Sequence, residues 1–303
     1  GSEMCIRDSK ITVSRAVFMS FAVVLLVLIS LVCLAPLWHV LMGSLSNPTQ
    51  VGITQGLILY PLQNLDTHAY SIILTYQRLW NGYLNTFIYI FLQCVLTGVA
   101  TIVAGYVFSR NRFRFRNTFM LIISSTMLFN GGMIPTYILI KNLGMLDTIW
   151  ALVIPTSISV WNLIITRTYF QSTIPGEVQE SASVDGCDDF TFLIKIAIPL
   201  AKPILAVNVL LYAVGHWNSF FNALIYVNNN KLYPLQLILR DILITGQSVD
   251  PSVTDPESIE LMKEIARTIK YGVIIVSSLP VLVLYPFVQK YFVKGVMIGS
   301  VKG

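Results

Sequence analysis

Two histidines are the side chains that could carry proton chemistry inside the apolar part of this chain. Ion-coupled carriers and pumps need ionisable groups at membrane depth, and the long apolar stretches contain His39 and His216 but no Asp, Glu, Lys or Arg. His39 lies near one end of the first stretch, where an interfacial side chain is expected. His216 lies within Ala213-Val-Gly-His-Trp-Asn-Ser-Phe-Phe-Asn222 and is open to three interpretations: a proton carrier, a substrate ligand or a packed hydrogen-bonding group.

Signatures of enzymes and metal sites are missing from the sequence. It has no HExxH, GxSxG, GxxxxGK[ST] or GxGxxG pattern, which hydrolytic, phosphate-binding and dinucleotide-binding sites use. The three histidines are not spaced as a metal site, and the four cysteines include no CxxC pair. We therefore expect no catalytic residue, metal or cofactor on this chain, and the energy for any uphill movement must enter through another subunit.

A polar segment at residues 172–199 predicts a helix followed by a bend. Ser172 or Thr173 can cap this helix with Pro175 in its first turn, because a capping oxygen accepts a free backbone N–H and proline needs no acceptor there. Gly186 is a natural end to the helix, since glycine adopts the left-handed conformation without a steric penalty.

A second short helix is expected after this bend. Asp188 can cap it, and its apolar residues run as far as a break at Pro199. The helix, bend and helix together are acidic, with carboxylates at Glu177, Glu180, Asp185, Asp188 and Asp189. An acidic, partly apolar elbow of this kind is typical of a helical surface that fits a groove on a partner protein.

The composition places these residues in a membrane protein. Of the 303 residues, 55% are hydrophobic and 12% are charged, whereas about a quarter are charged in soluble domains. A helix needs about 20 apolar residues to cross a bilayer, and six stretches reach or approach that length: 17–42, 83–109, 118–140, 149–166, 203–225 and 271–289. The first is too long for a signal peptide and lacks a cleavage site. The predicted fold class is an all-α integral membrane protein with six transmembrane helices.

The basic residues orient these spans. Lys and Arg gather on the cytoplasmic side of membrane proteins, and with the amino terminus inside, 13 of the 20 fall on that side. The strongest anchor is Arg110–Arg116, which is more typical of a membrane interface than of RNA binding. We expect both termini in the cytoplasm, together with the acidic elbow. The predicted organisation is a tail at 1–16, of which 1–9 are atypical, a membrane domain at 17–289 with an inner loop at 167–202, and a tail at 290–303.

The elbow resembles the EAA motif of ABC importer permeases. That motif reads EAA, three residues, G, nine residues and I-x-L-P, and Glu180-Ser-Ala182, Gly186 and Ile196-Ala-Ile-Pro199 have the same spacing. Ser181 and Ile198 depart from it by a small-for-small and an apolar-for-apolar change. The resemblance implies that the elbow is a cytoplasmic coupling helix held in a cleft of an ATPase, with coupling residues Glu177, Glu180, Ser181, Ala182, Asp185, Gly186, Ile196 and Pro199.

Segments outside the elbow resemble carbohydrate-uptake permeases of the MalG-like kind, closest to aldouronate and complex-oligosaccharide permeases. These segments are 130–137, 151–155, 217–218 and 291–303. The resemblance implies a type I ABC importer permease fold in the bacterial cytoplasmic membrane. It also implies three partners: a second, non-identical permease, an ABC ATPase dimer that binds ATP and Mg, and an extracytoplasmic solute-binding lipoprotein. No nucleic acid is expected among them.

Interruptions of the predicted spans point to a substrate pathway. In lipid, a broken helix is tolerated where it lines protein or water, and neutral sugars are bound by aromatic faces with amide and hydroxyl groups. The same side chains also serve helix packing, so both roles stay open. The candidates are Asn130, Gly131, Gly132, Trp161, Asn162, His216, Trp217, Asn218 and Asn222.

The sequence as a whole predicts the translocation subunit of an ATP-driven importer that moves an oligosaccharide, with uronate-containing glycans among the candidates, by alternating access. One alternative is an ABC importer permease for another solute class, because the EAA motif is shared across importers. Another is a stand-alone carrier or channel with His216 as its coupling group. A membrane enzyme or assembly scaffold is the third.

Overall fold

The computed structural model describes residues 13–54, 56–129, 131–245, 269–284 and 286, and these form helices and loops without a strand. The helices, in chain order α1 to α14, are Val13–Ser44, Pro48–Ile53, His68–Thr75, Gln77–Ser109, Arg116–Ser125, Met133–Asn142, Trp150–Val153, Val160–Thr173, Gly176–Val184, Asp189–Leu200, Lys202–Trp217, Phe221–Tyr226, Leu235–Thr245 and Ile269–Leu284. The predicted tail at 290–303 and residues 1–9 lie outside the described residues.

Long apolar helices confirm a membrane protein. Among the described residues, α1 and α4 are long and apolar enough to cross a bilayer, and a third span results if the bent pair α10 and α11 is counted as one. The helices fall into two compact units, which within the described residues comprise 13–73 with 269–275, and 74–245 with 276–284 and 286.

The first unit is organised around the end of α1. Met42, Val51 and Ile58 form its buried apolar cluster. His39 Nδ1 accepts a hydrogen bond of 2.9 Å from the Ile58 N–H, and the His39 ring lies edge-on to Tyr271. His39 therefore holds the loop after α1 against the end of that helix. Along the most apolar part of α1 no side chain is buried by the described residues, which leaves this surface to lipid or to another subunit.

The second unit is built around α4. This helix packs against α8, α11 and α13. At one end, an apolar cluster that includes Tyr106, Phe170, Phe192 and Ala197 joins α4 and α8 to α10. A second cluster that includes Tyr89 joins α4 to the short helices α7 and α12. The second helix of the elbow, α10, is thus packed into the core of the helix bundle.

Three of the predicted spans are each made of two helices. The third is broken between α5 and α6, the fourth between α7 and α8, and the fifth between α11 and α12. Gly132 has a φ of 88° at the first break, and Pro155 lies in the second. Backbone of this kind is expected where a span lines protein or water instead of lipid. The predicted interruptions of these three spans are confirmed.

Replacing Gly105 by alanine is expected to destabilise the packing of α4 against α8. A Cβ at this position would lie 2.7 Å from Thr166 Cγ2. Thr166 cannot readily turn aside, because its hydroxyl donates to the Asn162 carbonyl and accepts from Asn208 Nδ2, each at 2.7 Å. Overpacking of this type costs about 1–3 kcal/mol, and the midpoint of thermal unfolding in detergent measures it.

Gly98 provides the matched control for this substitution. It lies on the same helix, and a Cβ there meets nothing within 4 Å. Gly98→Ala should leave the midpoint unchanged or raise it slightly, since alanine favours helix. An equal fall for Gly98→Ala and Gly105→Ala would contradict the packing assignment.

Candidate functional site

The elbow begins differently from the sequence prediction. Ser172 and Thr173 do not cap it, because both belong to α8, and the Ser172 hydroxyl donates to the Tyr169 carbonyl at 3.0 Å. Pro175 precedes the first helical residue instead of occupying the first turn. The residue before a proline is driven out of the helical conformation, so α8 ends at Thr173 and α9 starts at Gly176.

The bend at Gly186 is confirmed. Its φ is 81°, in the left-handed region that favours glycine. The Cys187 N–H donates to the Ala182 carbonyl at 2.9 Å and the Gly186 N–H donates to Ser183 at 3.1 Å, which satisfies carbonyls that the end of α9 leaves free. A Cβ at Gly186 would meet no atom within 4 Å, so the constraint on this position is conformational.

The cap at Asp188 is also confirmed. Its carboxylate accepts hydrogen bonds from the N–H groups of Phe190 (3.2 Å) and Thr191 (3.3 Å). Hydrogen bonds from Thr191 lower the pKa of the Asp188 carboxyl. The ionised cap is therefore present above the ordinary pKa of aspartate and is lost as the pH falls through the lowered value.

Removal of this cap is expected to loosen the start of α10. In Asp188→Ala, the amides of Phe190 and Thr191 lose their acceptor and should exchange hydrogen with solvent roughly fivefold faster or more. Asp188→Asn keeps a side-chain oxygen and should stay close to the original protein. Mass-spectrometric hydrogen exchange on the solubilised protein measures this, and equal rates in both variants would contradict the capping role.

The helix break predicted at Pro199 lies two residues further on, at Ala201. A π turn at Leu193–Ala197 precedes Pro199, in which the Ile198 N–H donates to the Leu193 carbonyl, and the helix continues to Leu200. The chain then bends by 78° between α10 and α11. A widened turn relaxes the normal hydrogen-bond register and so accommodates a proline that has no N–H.

The outward side of the elbow is both acidic and apolar. Val184 is 88% exposed, and Phe190 is also exposed, whereas Ala182 and Ile196 pack against the cluster beneath. Apolar side chains exposed next to carboxylates on a rigid base are typical of a protein-binding surface. We call the exposed set the elbow surface, and its members are Glu177, Val178, Glu180, Ser181, Ser183, Val184, Asp185 and Phe190.

Arg110 contacts the elbow from the end of α4, which was not predicted. It is only 7% exposed, although the sequence predicted an interfacial anchor. Its guanidinium lies 4.9 Å from the centre of the Tyr106 ring, and Nη1 donates to Gln179 Oε1 at 3.5 Å. Burial lowers the pKa of Arg110. Gln179 Nε2 in turn donates to Asp189 Oδ1 at 3.1 Å, so this arginine and glutamine link the span to both arms of the elbow.

Residues 97–298 match the family described as the binding-protein-dependent transport system inner membrane component. The chain belongs to this family. The match confirms the predicted class, an all-α, multi-pass permease of the cytoplasmic membrane with the type I importer fold.

One relative and one solved structure similar to the permease are named for polysaccharide transport. The permease is 38% identical over 281 residues to the polygalacturonan/rhamnogalacturonan transport system permease protein YtcP of Bacillus subtilis, which covers 92% of this chain and 96% of that protein. It is 43% identical over 217 residues to protein LplC of the same organism, covering 71% and 72%. A solved bacterial ABC transporter involved in the import of the acidic polysaccharide alginate has a TM-score of 0.81 at 33% identity, covering 93% and 98%.

The pathway candidates of the permease lie in different surroundings. Gly131 and Gly132 are exposed between α5 and α6, while Asn130 lies outside the described residues. Trp161 is 59% exposed on α8, whereas the adjacent Asn162 is buried. Trp161 therefore presents its aromatic face outside the helix packing, whereas the Asn162 side chain is buried within it.

The candidates around the break after α11 also differ from one another in their surroundings. Trp217 is buried against the rings of Tyr83 and Phe87, which assigns it to helix packing. His216 lies in the last turn of α11, beside the break in the fifth span, and its ring lies edge-on to Tyr89 at 6.3 Å.

Two asparagines remain near the surface of this region. Asn218 is exposed, and its Nδ2 donates to the Val214 carbonyl at 2.9 Å. Asn222 is half-buried at the start of α12. The ring contacts of His216 and Trp217 and the side-chain hydrogen bond of Asn218 all go to residues outside the candidate set.

A polar stripe on α4 was missed by the sequence analysis. Gln93, Thr97 and Thr101 are buried and four residues apart, which places them on one face of the helix. Gln93 Nε2 donates to Thr97 Oγ1 at 3.0 Å and to the Thr156 carbonyl at 2.7 Å. The regular spacing of polar residues within an apolar span was the signal that could have revealed this face.

The same stripe supports the broken fourth span. The Thr101 hydroxyl lies 3.2 Å from the Tyr212 hydroxyl, which also accepts the Ser159 N–H at 3.2 Å. Side chains of α4 and α11 therefore satisfy backbone groups that the break between α7 and α8 leaves free, as a break at membrane depth requires.

Proposed function

We propose that this permease translocates an oligosaccharide and that its elbow surface binds an ABC ATPase on a separate chain. The observation that carries this is the geometry of the elbow. Gly186 turns the chain between α9 and α10, whose inward side chains are packed in the core, and carboxylates with Val184 and Phe190 face outward. Motion imposed on such a surface passes directly into α8 and α11, because the elbow connects them without a flexible linker.

ATP and Mg belong to the partner in this proposal. Among the described residues, no group of three His, Cys, Asp or Glu side chains is placed to hold a metal ion, and the sequence has no phosphate-binding loop. The coupling role rests on Glu177, Glu180, Ser181, Ala182, Asp185, Gly186, Ile196 and Pro199. Most of these are exposed on the elbow, and Ala182 and Ile196 support it from below.

The other partners are a second, non-identical permease and an extracytoplasmic solute-binding lipoprotein. The uncovered apolar length of α1 is available to a neighbouring span. Both termini lie in the cytoplasm, on the side of the elbow, because 13 of the 20 basic residues fall on that side.

The proposed substrate class is an oligosaccharide, and uronate-containing glycans are the preferred candidates within it. One relative is named for polygalacturonan and rhamnogalacturonan, and the similar solved transporter is involved in the import of alginate. The apolar stretches of this chain contain no Lys or Arg to pair with a uronate, so the binding protein or the partner permease supplies that recognition. The described pathway candidates with amide or aromatic groups contribute contacts that neutral and acidic sugars share.

Uptake by the complete transporter in proteoliposomes tests this function. Oligogalacturonate should enter only with ATP inside and binding protein outside, and His216→Gln should retain uptake. Uptake without ATP, abolished by His216→Gln, would establish a stand-alone carrier. Transport of an amino acid or metal ion in place of any oligosaccharide would contradict the substrate class.

A further inference from the structure

A polar cavity of about 570 Å³ lies between the end of α4 and the elbow. Its walls include Arg110 and four residues of α9, namely Gly176, Gln179, Glu180 and Ser183. Of the described residues in these walls, Ile174 is the one with an apolar side chain. The cavity thus suits a small polar or charged group.

Arg110 contributes a positive charge that has no carboxylate within ion-pair distance among the described residues. Its Nε donates to Ser109 Oγ at 3.1 Å and Nη1 reaches Gln179 Oε1 at 3.5 Å. Nη2 is buried and has no hydrogen-bond partner among the described residues. A buried guanidinium with an unused donor is costly unless a charged acceptor reaches it, and a carboxylate fits its planar fork.

We propose that this cavity receives a carboxylate side chain of the docked ATPase, which pairs with the Arg110 guanidinium. The inference rests on the proposed function, because it places the ATPase on the elbow surface. Glu180 and Ser183 belong both to that surface and to the cavity walls. A protein seated on the elbow surface therefore covers the cavity and can extend a side chain into it.

Two other anions fit less well. A lipid phosphate carries acyl chains, and a wall with one apolar side chain offers them no surface. Glu180 is the internal alternative, but within the described part of the chain its carboxylate lies beyond ion-pair distance from Arg110. Arg112 also borders the cavity and lies 3.6 Å from Asp189, so its charge is already partly matched.

The dissociation constant of the ATPase from the permease pair in nanodiscs tests the proposal. Arg110→Gln should raise it by about tenfold or more, because it leaves the partner carboxylate without a cation. Arg110→Lys should raise it less, since a cation remains. The matched control is Arg114→Gln, which removes the same charge from an exposed arginine of the same segment and should change little.

A second variant keeps the proposal testable if Arg110→Gln does not fold. Gln179→Glu in an Asp189→Asn background places a carboxylate beside Arg110 without opposing the acid at 189, to which Gln179 now donates. This internal carboxylate should compete with the partner and weaken docking relative to Asp189→Asn alone. Unchanged docking would contradict the proposal.

The decisive measurement is a double-mutant cycle with the ATPase. Each Asp or Glu on the docking face of the ATPase is changed singly to Asn or Gln. One of these changes should weaken docking to the original permease but should not weaken docking further to the Arg110→Gln permease. If no ATPase acid is coupled to Arg110, the proposal fails. It fails equally if Arg110→Gln no longer weakens docking in nanodiscs without anionic lipid. It also fails if the double-mutant cycle couples Arg110 to Glu180 alone. Failure of the original permease pair to bind any ATPase would instead overturn the proposed function.

Discussion

Glu180→Lys is expected to abolish ATPase binding and sugar uptake while the permease still inserts in the membrane. Glu180 is exposed on the elbow surface and borders the cavity that contains Arg110. The substitution replaces an acid of the docking surface by a base, so a basic group of the ATPase that faces Glu180 would meet a like charge. Like charges juxtaposed across an interface cost several kcal/mol, so ATPase affinity should fall by about 100-fold or more.

Glu180→Gln separates the two parts of this effect. It removes the acid without adding a cation, so it should weaken binding and uptake less than Glu180→Lys. Binding is measured as ATPase retained per permease in detergent, and uptake as labelled oligosaccharide accumulated per permease. Normal uptake in Glu180→Lys would contradict the coupling assignment, and equal losses in both variants would contradict the charge argument.

Gly186→Val is expected to reduce uptake by about tenfold or more. A residue other than glycine in the left-handed conformation costs about 1–2 kcal/mol, and a β-branched side chain is a poorer fit still. Because a Cβ at Gly186 meets no neighbouring atom, the strain is relieved by reshaping the bend between α9 and α10. The two arms of the elbow then no longer face the ATPase together.

Gly176→Ala provides the backbone control on the same arm. Gly176 begins α9 without a positive φ, and a Cβ there also meets nothing within 4 Å. This variant should lose far less uptake than Gly186→Ala or Gly186→Val, at equal membrane levels judged by quantitative blotting. A Gly186→Val transporter with full uptake would show that the bend does not carry the coupling.

Local signals in the sequence were sufficient to predict much of the elbow. Gly186 bends the chain through its positive φ, and Asp188 caps the next helix. Both effects involve backbone groups within five residues, so they can be predicted from the local sequence. Glycine and proline also marked the breaks in the third and fourth spans correctly. The approximate spans followed from hydropathy because lipid imposes a minimum apolar length.

Other features depend on tertiary contacts or on neighbouring turns. Arg110 reads as an interfacial anchor in the sequence, but it is covered by Gln179, which lies 69 positions away. Pro199 predicts a helix break, but with the π turn before it the helix runs on to Leu200 and the break falls at Ala201. Ser172 has the chemistry of a cap, but Pro175 sets the helix start instead. In each case a competing interaction, absent from the local pattern, decides the outcome.

Site-directed cross-linking at the elbow tests the central claim most directly. In the active transporter, with native cysteines replaced by alanine, Ser181→Cys places a thiol on the elbow surface and Asn229→Cys places one on an exposed loop predicted to face outward. A short bifunctional thiol–amine reagent should join position 181, and not position 229, to the ATPase chain. Cross-linking from position 229, or from neither position in a transporter that still imports sugar, would contradict the account.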